Sequence, residues 1–279
     1  MPPVTAGDIV AHLRKLGLAT TLIGDPALVH TPISGVAADS RAAPGDLAWS
    51  RHPGAAARFG GSVLMCSAEA AEGLGEPPTP GSVVVVSERP RLAMALVIGE
   101  LFAYLGDDRP AVYADPATAR RVDEARAWVR NAVVGRNVRI EALATVGTSG
   151  MGYERDGEGR LVPFPQVGGV VLEDDVHIAA QAMVQRGAIG DTIVRRGAKI
   201  GPHVNVAHNC DVGEDCLLTG HSQLGGGVRL GKGVVLWQSA AIANRVVVGD
   251  GAVIGMGAMI RSDVGAGEVW VGNPGRKLR

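Results

Sequence analysis

From Val194 to Arg229 the chain reads VRRGAK-IGPHVN-VAHNCD-VGEDCL-LTGHSQ-LGGGVR, and the spacing of this stretch decides the fold. Every sixth residue is aliphatic from Val194 onward, and the series continues through Leu230, Leu236, Ile242, Val248, Ile254 and Ile260. Twelve consecutive positions are Val, Ile or Leu in a chain that is 46% hydrophobic, so chance is not a serious explanation. Four residues after each comes a small residue, among them Ala198, Cys210, Cys216, Ser222 and Ala258, and six of the twelve residues just after the aliphatic one are Gly. This period matches neither an amphipathic helix nor an alternating strand. It is the hexapeptide repeat of a β-solenoid. Each hexad supplies one short strand and one corner. The aliphatic side chain fills the interior and the small one fits beside the corner. Three hexads close a coil, and successive coils pair in parallel at ~4.8 Å.

Earlier hexads begin at Trp128, Val134, Ile140 and Val146, and again at Leu172, Ile178 and Val184. Residues 128–266 are therefore expected to form a left-handed parallel β-helix, interrupted by the polar loop 147–168, GTSGMGYERDGEGRLVPFPQVG. Loops leaving a rigid scaffold are where binding residues concentrate. Residues 107–127 read as a linker and a ragged first coil, and 267–279 as a tail. Its Arg276-Lys277-Leu278-Arg279 is either solvated or a grip on carrier phosphates. Residues 1–106 read as a small α/β domain. It has a helix from Asp8 with Ile9, Leu13 and Leu16 on one face, strands at Ser62–Ser67 and Ser82–Ser87, a Gly/Pro-rich loop at Glu72–Gly81, and a helix from Arg91 to Tyr104 opened by Pro90.

Composition narrows the class. In 279 residues, 27 Lys+Arg against 28 Asp+Glu give a net charge of −1, so no basic footprint for nucleic acid is indicated. The 40 glycines and 10 aromatics fit tight turns around an aliphatic interior. The three cysteines lack metal-ligand spacing, and Cys210 and Cys216 fall on interior positions as buried hydrophobes. No secretory leader or membrane-length apolar run is read, so a cytoplasmic protein is expected.

The coil converts spacing into columns. His208, Gly226 and Asn244 stack, as do Asn209, Gly227 and Arg245, and His203 and His221. His208 is third in its hexad and projects outward. One reading makes it a general base beside a backbone amide one coil above, an arrangement suited to acyl transfer. The other makes it a solvated corner histidine. Some trimeric hexapeptide proteins bind zinc through three histidines, and the γ-class carbonic anhydrases place a second His five residues after the first. Here that position is Gly213, so no metal site is read. Trp237 is expected to face outward as an interface anchor, or else as a lid over a groove.

Ile33-Ser-Gly-Val-Ala, Ala43-Pro-Gly-Asp-Leu-Ala-Trp, Ser87-Glu-Arg-Pro-Arg-Leu-Ala, Gly150-Met-Gly-Tyr-Glu-Arg-Asp-Gly, Pro165-Gln-Val-Gly, Gln185-Arg-Gly-Ala-Ile-Gly-Asp-Thr and Val206-Ala-His-Asn carry a resemblance. Over nearly its whole length the chain resembles the UDP-3-O-acylglucosamine N-acyltransferases of lipid A biosynthesis. The resemblance implies a homotrimer with no bound cofactor, an acyl thioester on acyl carrier protein as donor, and the amine of a UDP-linked amino sugar as acceptor. It implies His208 as catalytic base and the Gly226 amide as oxyanion donor. It places Trp49 against uracil, and Tyr153 and Gln166 near the acceptor; Asn209, beside His208, is expected to bind substrate as well.

Departures from the family pattern accompany it. Its Phe, Asn and Tyr after Pro-Gly-Asp-Leu are Trp49, His52 and Ala55 here, so one stacking ring is missing. A second family histidine aligns with Arg245, which cannot act as a base but can hold a phosphate. His221 replaces a small residue and is expected to reshape the acceptor pocket. After Gly272-Asn-Pro-Gly the ending resembles that of small CoA-dependent sugar acetyltransferases rather than the family's helical extension. Three readings follow: an N-acyltransferase on a nucleotide-linked amino sugar; a CoA-dependent acyltransferase of a specialised pathway acting on a non-UDP amine or hydroxyl; and a non-catalytic trimeric binding protein.

Overall fold

The computed structural model describes residues 3–50, 52, 59–72 and 81–279. Ala55 and most of the loop expected at Glu72–Gly81 lie outside the described residues. The chain forms two compact units. One comprises Met1–Asp107 together with Met151–Pro165, and the other comprises Asp108–Gly150 with Gln166–Arg279.

The second unit is a parallel β-helix. Its strands fall into three sheets, of seven, eight and seven members, and each sheet collects every third hexad. Val206 pairs with Leu224, Leu224 with Ile242, and Ile242 with Ile260, all in parallel. All twelve aliphatic positions from Val194 to Ile260 are buried, as are the twelve small positions from Ala198 to Val264. Each buried aliphatic side chain contributes about 1.5–3 kcal/mol, so the repeat is its own core. Burial pushes the Cys210 thiol up to about 12 and Cys216 to about 11, and both Sγ atoms lie against carbonyls, of Gly225 and Gly231.

The corners carry a second six-residue period. Positions 197, 203, 209 and so on to 257 all adopt the left-handed conformation, with φ between 54° and 77°. Gly, Asn and Asp tolerate this region and His is enriched in it, so the occupants Gly197, Asn209, Asp215, Gly227 and Gly251 follow from the geometry. Ser239 and Arg245 hold the same conformation against their preference.

Both ends differ from the sequence reading. The first interior position is Val129, 3% exposed, and not Trp128, which is 36% exposed. Val129 pairs with Val146, so the opening coil is one residue short of the repeat. The ragged segment before it contains the helix Pro116–Glu124. Asp115 caps its N-terminus through Ala117 N–H, Pro116 fits its first turn, and Val122 joins the interior. Residues 267–279 are not a free tail: Val269–Val271 pairs antiparallel with Arg276–Lys277.

The first unit carries a five-stranded sheet in the order Thr20–Ile23, Val83–Ser87, Val63–Cys66, Asp46–Ser50, Gly35–Val36. Its first pair is antiparallel and the others parallel. The helix Ala6–Lys15 opens with a capping box between Thr5 and Asp8 and buries Ile9, Val10 and Leu13. The helix opened by Pro90 ends at Leu101, and a 3-10 turn, Ala103–Gly106, follows it. The hairpin Tyr153–Arg155 with Leu161–Pro163 belongs to this unit. No helix among the described residues is long and apolar enough to cross a membrane.

At the terminal strand Lys277, Trp270 Nε1–H and the Gly265 N–H all donate to Glu268, which holds its carboxyl down at about 2. A carboxyl depressed in the fold stabilises it above the unfolded value, about 4.3, and the effect is lost as pH falls through about 2. Glu268→Gln is therefore expected to speed amide exchange across Val269–Lys277 at pH 7, with the difference from wild type vanishing near pH 2. Hydrogen-exchange mass spectrometry across that range checks it; equal rates at pH 7 would remove the role given to Glu268.

Candidate active site

Within the β-helix, His208 lies between two close-packed glycines. A Cβ at Gly226 would sit 2.6 Å from Nε2, and one at Gly150 would sit 2.9 Å from Cδ2. The Gly150 position is also 3.1 Å from Gln166 Oε1, so the structure brings His208, Gly226, Gly150 and Gln166 together. A side chain at either glycine would displace the imidazole. Gln166 is 6% exposed, and His208 is half-buried.

The other edge of the ring is held by Asn209. Nδ1 lies 3.0 Å from Asn209 Oδ1. The same oxygen accepts the Ala188 N–H at 3.0 Å, while Asn209 Nδ2 donates to the Gly190 carbonyl at 3.0 Å. These two backbone partners fix which end of the carboxamide is oxygen. Oδ1 only accepts, so Nδ1 of the neutral ring must carry the proton, and Nε2 is left with its lone pair beside Gly226. The Asn209 N–H donates to the buried Thr192 Oγ1 at 2.8 Å, which anchors the corner. Asn209 is expected among the substrate-binding residues; in the structure its side chain makes these contacts inside the protein.

The Gly226 N–H, implied as an oxyanion donor, points to Asn244 Oδ1 at 3.1 Å. Sequence reasoning placed Asn244 in the His208 column but gave it no task. A signal was present. At two other corners, Gly135-Arg136 and Gly231-Lys232, the side chain stacked one coil above caps the second residue's N–H in the same way, from Asp174 at 2.7 Å and Asp250 at 2.8 Å. In all three pairs a Cβ on the first residue would collide with the capping oxygen, which explains glycine there.

Of the remaining candidates, Arg245 adjoins this group, its N–H on the Gly226 carbonyl at 3.0 Å. His203 and His221 stack with centroids 4.7 Å apart and planes 6° off parallel, one strand spacing, as the column predicts. Arg245 is exposed beside the Gly227 corner, and Trp237 is 43% exposed. In the first unit, Trp49 lines a cleft of ≈ 370 Å³ with Ser67, Arg89, Pro90, Arg91, Leu92 and Glu154. Arg91 pairs with Glu154 and lies 5.3 Å above the Phe164 ring, and Arg89 donates to the Arg155 carbonyl. An aromatic face beside two guanidinium groups suits a nucleotide's base and phosphates. His52 is exposed, with its N–H on Ser50 Oγ at 3.3 Å, and Tyr153 is 45% exposed on the hairpin.

No family model matches the chain. It is 48% identical over 155 residues to the UDP-3-O-acylglucosamine N-acyltransferase of Caulobacter vibrioides, a match covering 56% of this chain and 45% of that one. The enzyme of the same name from Syntrophobacter fumaroxidans is 45% identical over 85 residues, covering 30% and 24%. The chain thus matches less than half the length of these curated relatives. Among solved structures, the UDP-N-acetylglucosamine O-acyltransferase of Moraxella catarrhalis is similar over 61% of this chain and 70% of that one, with a TM-score of 0.46 and 19% identity. By sequence, the chain is similar over part of its length to UDP-3-O-acylglucosamine N-acyltransferases.

Proposed function

We infer that this protein is an N-acyltransferase moving an acyl group from a thioester to the amine of a nucleotide-linked amino sugar. One observation carries the reading: Asn209 holds His208 in the tautomer whose Nε2 is an unprotonated base, packed against the Gly226 backbone. The acceptor's amine nitrogen attacks the thioester carbonyl carbon and gives its proton to Nε2. The tetrahedral oxyanion forms beside Gly226 and Asn244. Its collapse breaks the C–S bond, and the leaving thiolate takes the proton back from the imidazolium. The balance closes with no metal or redox partner.

The Trp49 cleft takes the nucleotide, with the indole against the base and Arg89 and Arg91 toward the phosphates. The donor is acyl carrier protein or CoA, and the working unit is a homotrimer, as the relatives' kinship suggests. The protein acts in the cytoplasm. A second reading, a CoA-dependent transferase of a specialised pathway on a non-UDP acceptor, is favoured by His52 and Arg245 standing where the family has an Asn and a His.

Purified protein supplied with UDP-amino sugars and either acetyl-CoA or 3-hydroxyacyl carrier protein is expected to yield an amide product, detected by mass; which donor works separates the two readings. His208→Ala should lower turnover about 10²–10⁴-fold, and an unimpaired variant would sink the mechanism. Trp49→Ala should raise KM for the nucleotide-linked acceptor about 10-fold, as loss of roughly 1–3 kcal/mol of base stacking requires, while leaving kcat within a few-fold. A fall in kcat alone would remove Trp49 from acceptor binding.

A further inference from the structure

The amide beside His208 is already engaged. Gly226 N–H donates to Asn244 Oδ1 at 3.1 Å, so an oxyanion reaches that N–H only after Asn244 leaves. Asn244 is itself exposed, and its Nδ2 donates to no group among the described residues. We propose that Asn244, rather than the Gly226 amide it caps, donates the hydrogen bond that holds the tetrahedral oxyanion.

The chain contains its own comparison. At the two other corners capped in this way the cap is aspartate, Asp174 and Asp250. A carboxylate is the stronger acceptor for a corner N–H, and the backbone geometry accepts it. At the corner that faces His208 the residue is Asn, which keeps the acceptor and replaces the second oxygen with an N–H donor. An Asp there would place a negative charge where the oxyanion forms and beside the base that must become an imidazolium. The Asn cap satisfies Gly226 without that charge. Accepting a hydrogen bond at Oδ1 also polarises the carboxamide and strengthens its N–H as a donor. The backbone dipole of Gly226 therefore acts on the oxyanion through Asn244. Nε2 packs against Gly226 from one side while Asn244 caps the same residue from the coil above, so base and donor flank one backbone unit.

The proposal rests on His208 being the base of a thioester-consuming reaction. The test compares Asn244→Asp, Asn244→Gly and Asp250→Asn with wild type, using acetyl-CoA or 3-hydroxyacyl carrier protein and UDP-amino sugars. Asn244→Asp retains the cap that Asp250 already makes elsewhere, so it is expected to fold, and kcat should fall about 10²–10³-fold, the loss of one oxyanion donor, with KM nearly unchanged. Asn244→Gly frees the Gly226 N–H and should also lose kcat. Asp250→Asn makes the reverse exchange at a corner away from His208 and should leave the kinetics alone. Wild-type turnover in Asn244→Asp, or turnover equal to or above wild type in Asn244→Gly, would overturn the proposal and return the role to Gly226. If wild type transfers nothing to any amino sugar, the acceptor reading fails. The same variants are then scored on thiol release from acetyl-CoA by water, which needs the oxyanion donor but no acceptor. A wild type that releases no thiol would overturn both.

Discussion

Everything in the β-helix depends on a left-handed residue recurring every six positions. Without that corner the chain could not turn between hexads, and the aliphatic side chains would not meet in one interior. The corner also sets the pitch: residues one coil apart stack at the strand spacing, as the His203 and His221 rings do at 4.7 Å. Corner side chains are therefore never isolated. Each lies over the backbone of the coil below, and Asp174, Asp250 and Asn244 cap an N–H there. Core, corner and candidate site are consequences of a single period.

The candidate chemistry is a local modification of that scaffold. His208 and Asn209 are adjacent in sequence, yet the second orients the first only because Ala188 and Gly190, in the coil below, fix its carboxamide. The polar side chains on His208 and on the Gly226 N–H are neutral: Asn209, Asn244 and, across Gly150, Gln166. Arg195 pairs with Asp211, which lies on a strand and not at a corner. A neutral surrounding suits a reaction in which a positive imidazolium and a negative oxyanion appear together and vanish together.

The interior was legible because burial of one residue type at a fixed period leaves a strong trace, and the columns followed by arithmetic. The ends were less legible. Trp128 fits the hexad count, but the opening coil is one residue short, so Val129 takes the interior place. The Asp115-Pro116 helix start is a local signal of one turn, inside a segment whose spacing reads as an irregular coil of the repeat. The terminal strand depends on a pairing between Trp270 and Lys277 that has no periodic signature. His208 stood out by residue type. The engaged amide of Gly226 did not, because a hydrogen bond to a side chain one coil away leaves no mark on either residue alone.

The hairpin excursion leaves the β-helix after Gly150 and returns at Gln166, and those two residues almost touch, with the Gly150 Cβ position 3.1 Å from Gln166 Oε1. An insertion whose ends meet transmits none of its length to the coils on either side. Val146 still pairs with Val184 across it, and the register shifts by one residue only at Thr148, which pairs with Gln185. Doubling such a loop costs only about 0.6 kcal/mol of closure entropy. The scaffold and the excursion can therefore evolve on separate clocks: the repeat is locked by its pitch, while the fifteen residues from Met151 to Pro165 answer to the first unit, where Glu154, Arg155 and Phe164 meet Arg91 and Arg89.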